Sequence, residues 1–110
     1  MEIQIETVQS VAVAQLSGDI DANTASVVQQ EVLPLVKPGS KILLDMTGVQ
    51  YMSSAGLRML LSLYRRVSAS SGKLVLVGLA PETRKTMSLT GFLDFFPTYD
   101  TVESGLREMG

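Results

Sequence analysis

The 110-residue sequence has no cysteine and no histidine. Without cysteine there is no disulfide and no thiolate metal site, which fits a reducing compartment. Without histidine the commonest general base and metal ligand is missing. Tryptophan is absent and aromatic residues make up only 5%, so a core must be aliphatic. Charge is sparse and balanced, with 9 basic against 11 acidic side chains and a net charge of −2. That leaves no basic footprint for nucleic acid or an anionic membrane surface. No apolar run approaches the roughly 20 residues of a membrane span. The amino end, Met1-Glu2-Ile3-Gln4, carries neither the basic region nor the apolar core of a secretion signal. The expected location is the cytoplasm, with no membrane and no nucleic acid among the partners.

What is present is hydrophobic patterning. At 45% hydrophobic residues over 110 positions, the chain is long enough for one domain with a real core and too short for two. Ile3, Ile5 and Thr7 alternate with Glu2, Gln4 and Glu6, the pattern of a half-buried edge strand. Gln9-Ser10 reads as a tight turn into a second strand, Val11 to Leu16, paired with the first as a hairpin. A first helix begins near Ala22, capped by Asp21 or Asn23, with Ala25, Val28 and Val32 inward and Pro34 at its end. Lys41 to Met46 is almost continuously apolar, so it reads as a central strand buried on both faces. A second helix runs from about Ala55 to Ser70, and Lys73 to Leu79 forms a parallel strand beyond it. Pro81 to about Leu89 is a short helix closed by Gly91. Phe92, Leu93, Phe95 and Phe96 read as core plugs, and Thr98-Tyr99 as a short fifth strand. Asp100 with Glu103 reads as the capping box of a last helix carrying Val102, Leu106 and Met109.

The chemistry concentrates between the central strand and the second helix. There lies a polar turn with two adjacent serines, Ser53 and Ser54, at the edge where open α/β sheets face their ligands. Free N–H groups at that helix start favour negative charge, phosphate included. Serine is a leading cap residue, so one hydroxyl is free to cap while the other faces outward. Nucleophilic catalysis needs a base in reach, and no histidine or Ser-x-x-Lys pattern supplies one. Asp19, Asp21 and Asp45 allow two readings. They could gather at the strand ends as a Mg²⁺-binding or phosphoacceptor cluster. Alternatively, Asp21 caps a helix and Asp45 ties down the loop after its strand. On the second helix Leu57, Leu60, Leu61, Tyr64 and Val67 or Ser68 form the inward stripe. At about 100° per residue, Met59 projects nearly opposite that stripe and Leu63 to one side. Both are therefore expected to be exposed, either as anchors for a protein partner, for which Met is adaptable, or incidentally. Arg58, Arg65 and Arg66 read as a solvated helix face, with Arg58 placed to pair with a partner carboxylate. No GxxxxGK[ST] or GxGxxG is present, so nucleotide binding by this chain has no support.

The stretch Asp45, Thr47, Val49, Tyr51, Met52, Ser53, Ser54, Ala55, Gly56 and Leu57 resembles the signature of the STAS domain, specifically the bacterial anti-sigma factor antagonists. Leu16-Ser17-Gly18-Asp19-Ile20-Asp21, the strand Gly72 to Leu79 and the segment Thr90 to Tyr99 resemble three further elements of that family, in the same order. The resemblance implies a single STAS domain over residues 1–110. Its α/β fold would be a mixed four- to five-stranded sheet with about four helices packed against it. It implies that Ser54 is the residue phosphorylated by a cognate anti-sigma factor kinase. That kinase would bring its own ATP and magnesium, and a phosphatase would reset the switch. Unmodified, the chain would bind the anti-sigma factor and free a sigma factor, acting as a binding protein without a cofactor or metal of its own. Ser53, Asp19, Asp21, Asp45, Arg58, Met59 and Leu63 would shape the surface the partner reads. Many phosphorylated members carry Asp where this chain has Ser53. Two other readings follow from the sequence. One is a STAS subunit of another assembly, such as a lipid-transport complex, without a phosphorylation cycle. The other is an enzyme or a receiver-type phosphoacceptor at Asp45.

Overall fold

A computed structural model describes residues 1–109. Strand β1 (Glu2–Val8) turns back at once into β2 (Val11–Ser17), and the two pair antiparallel. Gln9 and Ser10 make that turn with φ of 53° and 67°. Positive φ at both central positions is what a type I′ hairpin turn requires, and its twist matches that of the strands. From there the chain alternates: α1 (Ala22–Val32), β3 (Lys41–Gly48), α2 (Ser54–Ala69), β4 (Lys73–Val77), α3 (Pro81–Thr90), β5 (Thr98–Tyr99) and α4 (Val102–Met109). The sheet order is β1-β2-β3-β4-β5, and every pair after the first is parallel. The expected mixed sheet with helices is therefore observed, with β1 at one edge and β3 in the middle.

Alternation along the strands divides the apolar residues between two faces. Ala14, Leu16, Ile42, Leu44, Met46, Leu74 and Leu76 join α1, α2, Met87 and Phe96 in the larger core. Val11, Val13, Leu43, Val75 and Val77 face the other way and meet Met109 of α4. Gly105 lets α4 lie close, because a Cβ there would stand 2.9 Å from Leu43 Cδ1. β3 is buried on both faces, as its continuous apolar run predicts. Among the described residues no helix is long and apolar enough to cross a membrane.

Helix α1 starts where Asp21 caps it. Asp21 Oδ1 accepts from the N–H groups of Asn23 and Thr24 at 2.9 and 3.0 Å, and Asp21 N–H donates to Thr24 Oγ1 at 2.8 Å. Ala25, Val28 and Val32 form its buried face. The helix then tightens into a 3₁₀ turn, Leu33–Leu35, at Pro34.

Three local expectations need correction. Helix α2 buries Gly56, Leu57, Met59, Leu60, Leu63 and Val67, while Leu61 and Tyr64 are half-buried. Its inner face is thus rotated from the expected stripe, toward Met59 and Leu63. The reason is that α2 packs against α1 as well as the sheet, so two sides of the helix are covered. The last helix is capped by Thr101, not Asp100: Ser104 N–H donates to Thr101 Oγ1 at 3.1 Å, and Thr101 N–H to Ser104 Oγ at 3.3 Å. Of the expected core plugs Phe96 is buried, while Phe92 and Leu93 are half-buried. Phe95 stays 44% exposed, resting on Tyr64 with ring centroids 5.3 Å apart.

Candidate functional site

Beyond the sheet, the chain leaving β2 and the chain leaving β3 stay zipped together. Gly18 N–H donates to the Gly48 carbonyl at 3.0 Å and Ile20 N–H to the Tyr51 carbonyl at 2.9 Å. Ser53 N–H returns a bond to the Ile20 carbonyl at 2.8 Å, completing a parallel bridge between Ile20 and Met52. This bridge sets the first turns of α1 and α2 side by side. Gly56 keeps α2 seated on it: a Cβ there would collide with Met52 Cγ and stand 2.9 Å from Ile20 Cγ2. The Gly of the serine motif is thus a requirement of packing between helix and loop.

The two helix starts differ in how they are closed. At α1 the Asp21 carboxylate caps the helix through Oδ1, which accepts from the Asn23 and Thr24 N–H groups. The Thr24 N–H bond is the largest influence, and with those of Asn23 and the Thr24 hydroxyl it holds the carboxyl below its ordinary value of 3.8. At α2 Ser53 occupies the cap position, yet its hydroxyl makes no cap bond. Ser53 Oγ is buried and has no hydrogen-bond partner. The expected serine cap is therefore absent, and the first N–H groups of α2 lack a side-chain acceptor. Ser54 is the first residue of the helix and is exposed. Arg58, one turn later, is exposed as well.

Of the residues singled out in the sequence, Ser53, Ser54, Asp19, Asp21 and Arg58 come together at this edge. Asp45 does not join them. It lies within β3, opposite Gln15 and Val77, on the α4 face of the sheet and only 7% exposed. Its Oδ1 accepts from Thr47 N–H at 3.0 Å and Thr47 Oγ1 at 2.6 Å, so it ties the end of its own strand. Among the described residues no three His, Cys, Asp or Glu side chains gather as metal ligands. The reading of Asp19, Asp21 and Asp45 as one carboxylate cluster is thereby corrected.

Met59 and Leu63 are likewise corrected as exposed anchors, being 4% and 0% exposed. Met59 instead forms part of the wall of a groove of about 340 Å³ between α1 and α2, with Ala22, Ala25, Gln29, Arg58 and Ser62 around it. Gln29 Nε2 donates to Ser62 Oγ at 3.3 Å across this groove. Sequence reasoning missed the groove, since no single residue of α1 signals that α2 lies beside it. It also passed over the Tyr51 side chain, which is 56% exposed just before the serines.

The STAS domain family model matches residues 2–105. The chain belongs to the STAS domain family. It is 30% identical over 105 residues, 94% of this chain and 90% of the other, to BtrV of Bordetella bronchiseptica, a candidate anti-sigma factor antagonist. A crystal structure of an anti-sigma factor antagonist from Mycobacterium paratuberculosis superposes with a TM-score of 0.84 at 29% identity, covering 97% of this chain and 92% of that one. The unphosphorylated form of the anti-sigma factor antagonist SpoIIAA superposes with a TM-score of 0.81 at 21% identity, covering 98% and 96%. The same Bacillus protein is also known in a phosphorylated form. Within the STAS family this chain therefore groups with the anti-sigma factor antagonists.

Proposed function

We propose that this chain is an anti-sigma factor antagonist worked by phosphorylation of Ser54. Unmodified, it binds an anti-sigma factor of the serine-kinase type at the edge formed by the two zipped loops and the starts of α1 and α2, and a sigma factor is released. The kinase brings ATP and magnesium, phosphorylates Ser54 and thereby dissociates, and a phosphatase restores the hydroxyl. The chain acts in the cytoplasm as one STAS domain over residues 1–110, as a binding protein and substrate rather than an enzyme.

The observation that carries this reading is the placement of Ser54. Its hydroxyl is exposed at the first position of α2, beside a helix start whose N–H groups have no side-chain cap. A phosphate added there meets a favourable field, worth about 0.3–1 kcal/mol at an exposed helix start. The modification therefore leaves the fold intact and acts on whatever docks at that edge. Ser53 is the less suited of the pair, with its oxygen buried. Asp19, Asp21, Arg58 and Tyr51 present the exposed polar and aromatic groups around Ser54. With Asp45, Met59 and Leu63 buried, they form the contact surface.

The deciding experiment is phosphopeptide mapping after incubation with the cognate kinase and ATP, in wild type, Ser53→Ala and Ser54→Ala. Label is expected on Ser54, retained in Ser53→Ala and abolished in Ser54→Ala. Label on Ser53 alone would overturn the assignment. No label on either serine would favour a STAS subunit that docks without a phosphorylation cycle.

A further inference from the structure

Phosphorylating Ser54 adds negative charge to an edge whose loops already carry anions. The loops zipped at the site, residues 18–21 and 48–53, carry two charged side chains, Asp19 and Asp21, both anionic. The first turn of α1 adds no charge beyond its Asp21 cap. A phosphoserine brings about −1.5 to −2 further charges at neutral pH. On α2 the nearest cation is Arg58, and Arg65 and Arg66 follow about two turns later. Ser54 and Arg58 are i, i+4 neighbours, so their Cβ atoms lie about 5–6 Å apart on one side of the helix. Both are exposed. Arg58 is also uncommitted: among the described residues the ion pair that forms is Arg107 with Glu103 at 3.6 Å, on α4. A guanidinium offers parallel N–H donors matched to phosphate oxygens, so it suits this role better than a point charge.

Resting on the reading of Ser54 as the phosphorylated residue, we propose that Arg58 is the internal counter-ion of that phosphate, closing back over one turn of α2 to hold it against the helix start. Arg58 is then a positioning residue of the switch. In the unmodified protein its guanidinium is free for a partner carboxylate. Once Ser54 is phosphorylated the same group is drawn to the phosphate. One modification thus alters two groups of the contact surface, adding an anion and withdrawing a cation.

The test uses the full chain with phosphoserine installed at position 54 during synthesis, so that no kinase is involved. The second ionisation of the phosphate is followed by ³¹P NMR titration in the wild-type background and in R58Q and R58K. The dianion should be favoured with Arg58 present, so the apparent pKa should be lower than in R58Q by about 0.3–0.7 units at low salt. R58K should retain part of that difference. At about 1 M salt the difference should shrink, as an exposed ion pair is screened. Circular dichroism checks that the variants fold, as expected for an exposed position. Equal pKa values in wild type and R58Q, or a difference that survives high salt, would sink the proposal. Failure of a kinase to label Ser54 bears on the function proposed above and not on this titration.

Discussion

The backbone N–H of Ser53 donates to the carbonyl of Ile20 at 2.8 Å, across 32 residues of intervening chain. This bond joins the loop after β2 to the loop after β3. Through it the capped start of α1 and the uncapped start of α2 become one surface.

Phosphorylated chain should keep its circular dichroism spectrum and lose its anti-sigma partner. A partner carboxylate about 6 Å from the phosphate, at an effective dielectric near 20, is repelled by roughly 3 kcal/mol per unit charge. That is about a hundredfold in affinity, because 1.4 kcal/mol is tenfold. On the proposed function, titration calorimetry of modified and unmodified protein against the anti-sigma factor measures the ratio. Equal affinities would remove the switch.

Leu63→Ala should lower stability by roughly 2–5 kcal/mol, as truncating a fully buried leucine does. Met59→Asp should destabilise the fold too, because it places an unpaired charge between α1, α2 and the sheet. Urea unfolding reads both. If either variant unfolded like wild type, the helix face described for α2 would be misplaced.

Gly56→Ala should cost about 1–3 kcal/mol, the usual range for overpacking. The added Cβ meets Met52 and Ile20, both within the bridge that holds the two loops. Hydrogen exchange should therefore speed up at the Ile20 and Ser53 amides more than in the central strand β3. Uniform acceleration, or none, would contradict the seating of α2 on the bridge.

Asp21 contributes to stability in a pH-dependent way. Its carboxyl titrates below the ordinary 3.8 in the folded chain, chiefly because Thr24 N–H donates to it. A depressed folded value means that the contribution is fully present above the unfolded pKa, near 4, and is lost as pH falls through the folded pKa. Asp21→Asn retains a cap without this titration. The melting-temperature difference between wild type and Asp21→Asn should therefore be constant at neutral pH and change below about pH 4. A difference independent of pH down to 2 would count against the cap.

Much of the architecture is legible in the sequence alone. The strands and helices follow from alternation, from the i, i+3, i+4 spacing and from Pro and Gly punctuation, all local signals. Asp21 as the cap of α1 was legible as well, because a carboxylate before a helical run has one usual local role. The Thr101 cap was harder to read. Asp100 and Glu103 fit the box pattern equally well, and the two registers differ by one residue.

What the sequence by itself determined was the order of elements, the double-sided burial of β3 and the serine-bearing turn at the start of α2. What only the tertiary structure decided was which sides of those elements face one another. Helical spacing ranks residues around an axis, but it does not say how many neighbours the helix has. Met59 and Leu63 became core because α1, some 30 residues earlier in the chain, lies against α2. Asp45 left the site because the pleat of β3 turns its side chain to the α4 face, while the serine turn gathers with the start of α1. The buried, unpartnered hydroxyl of Ser53 had no sequence signal, since whether a serine caps its helix depends on a side-chain rotation set by the packing around it.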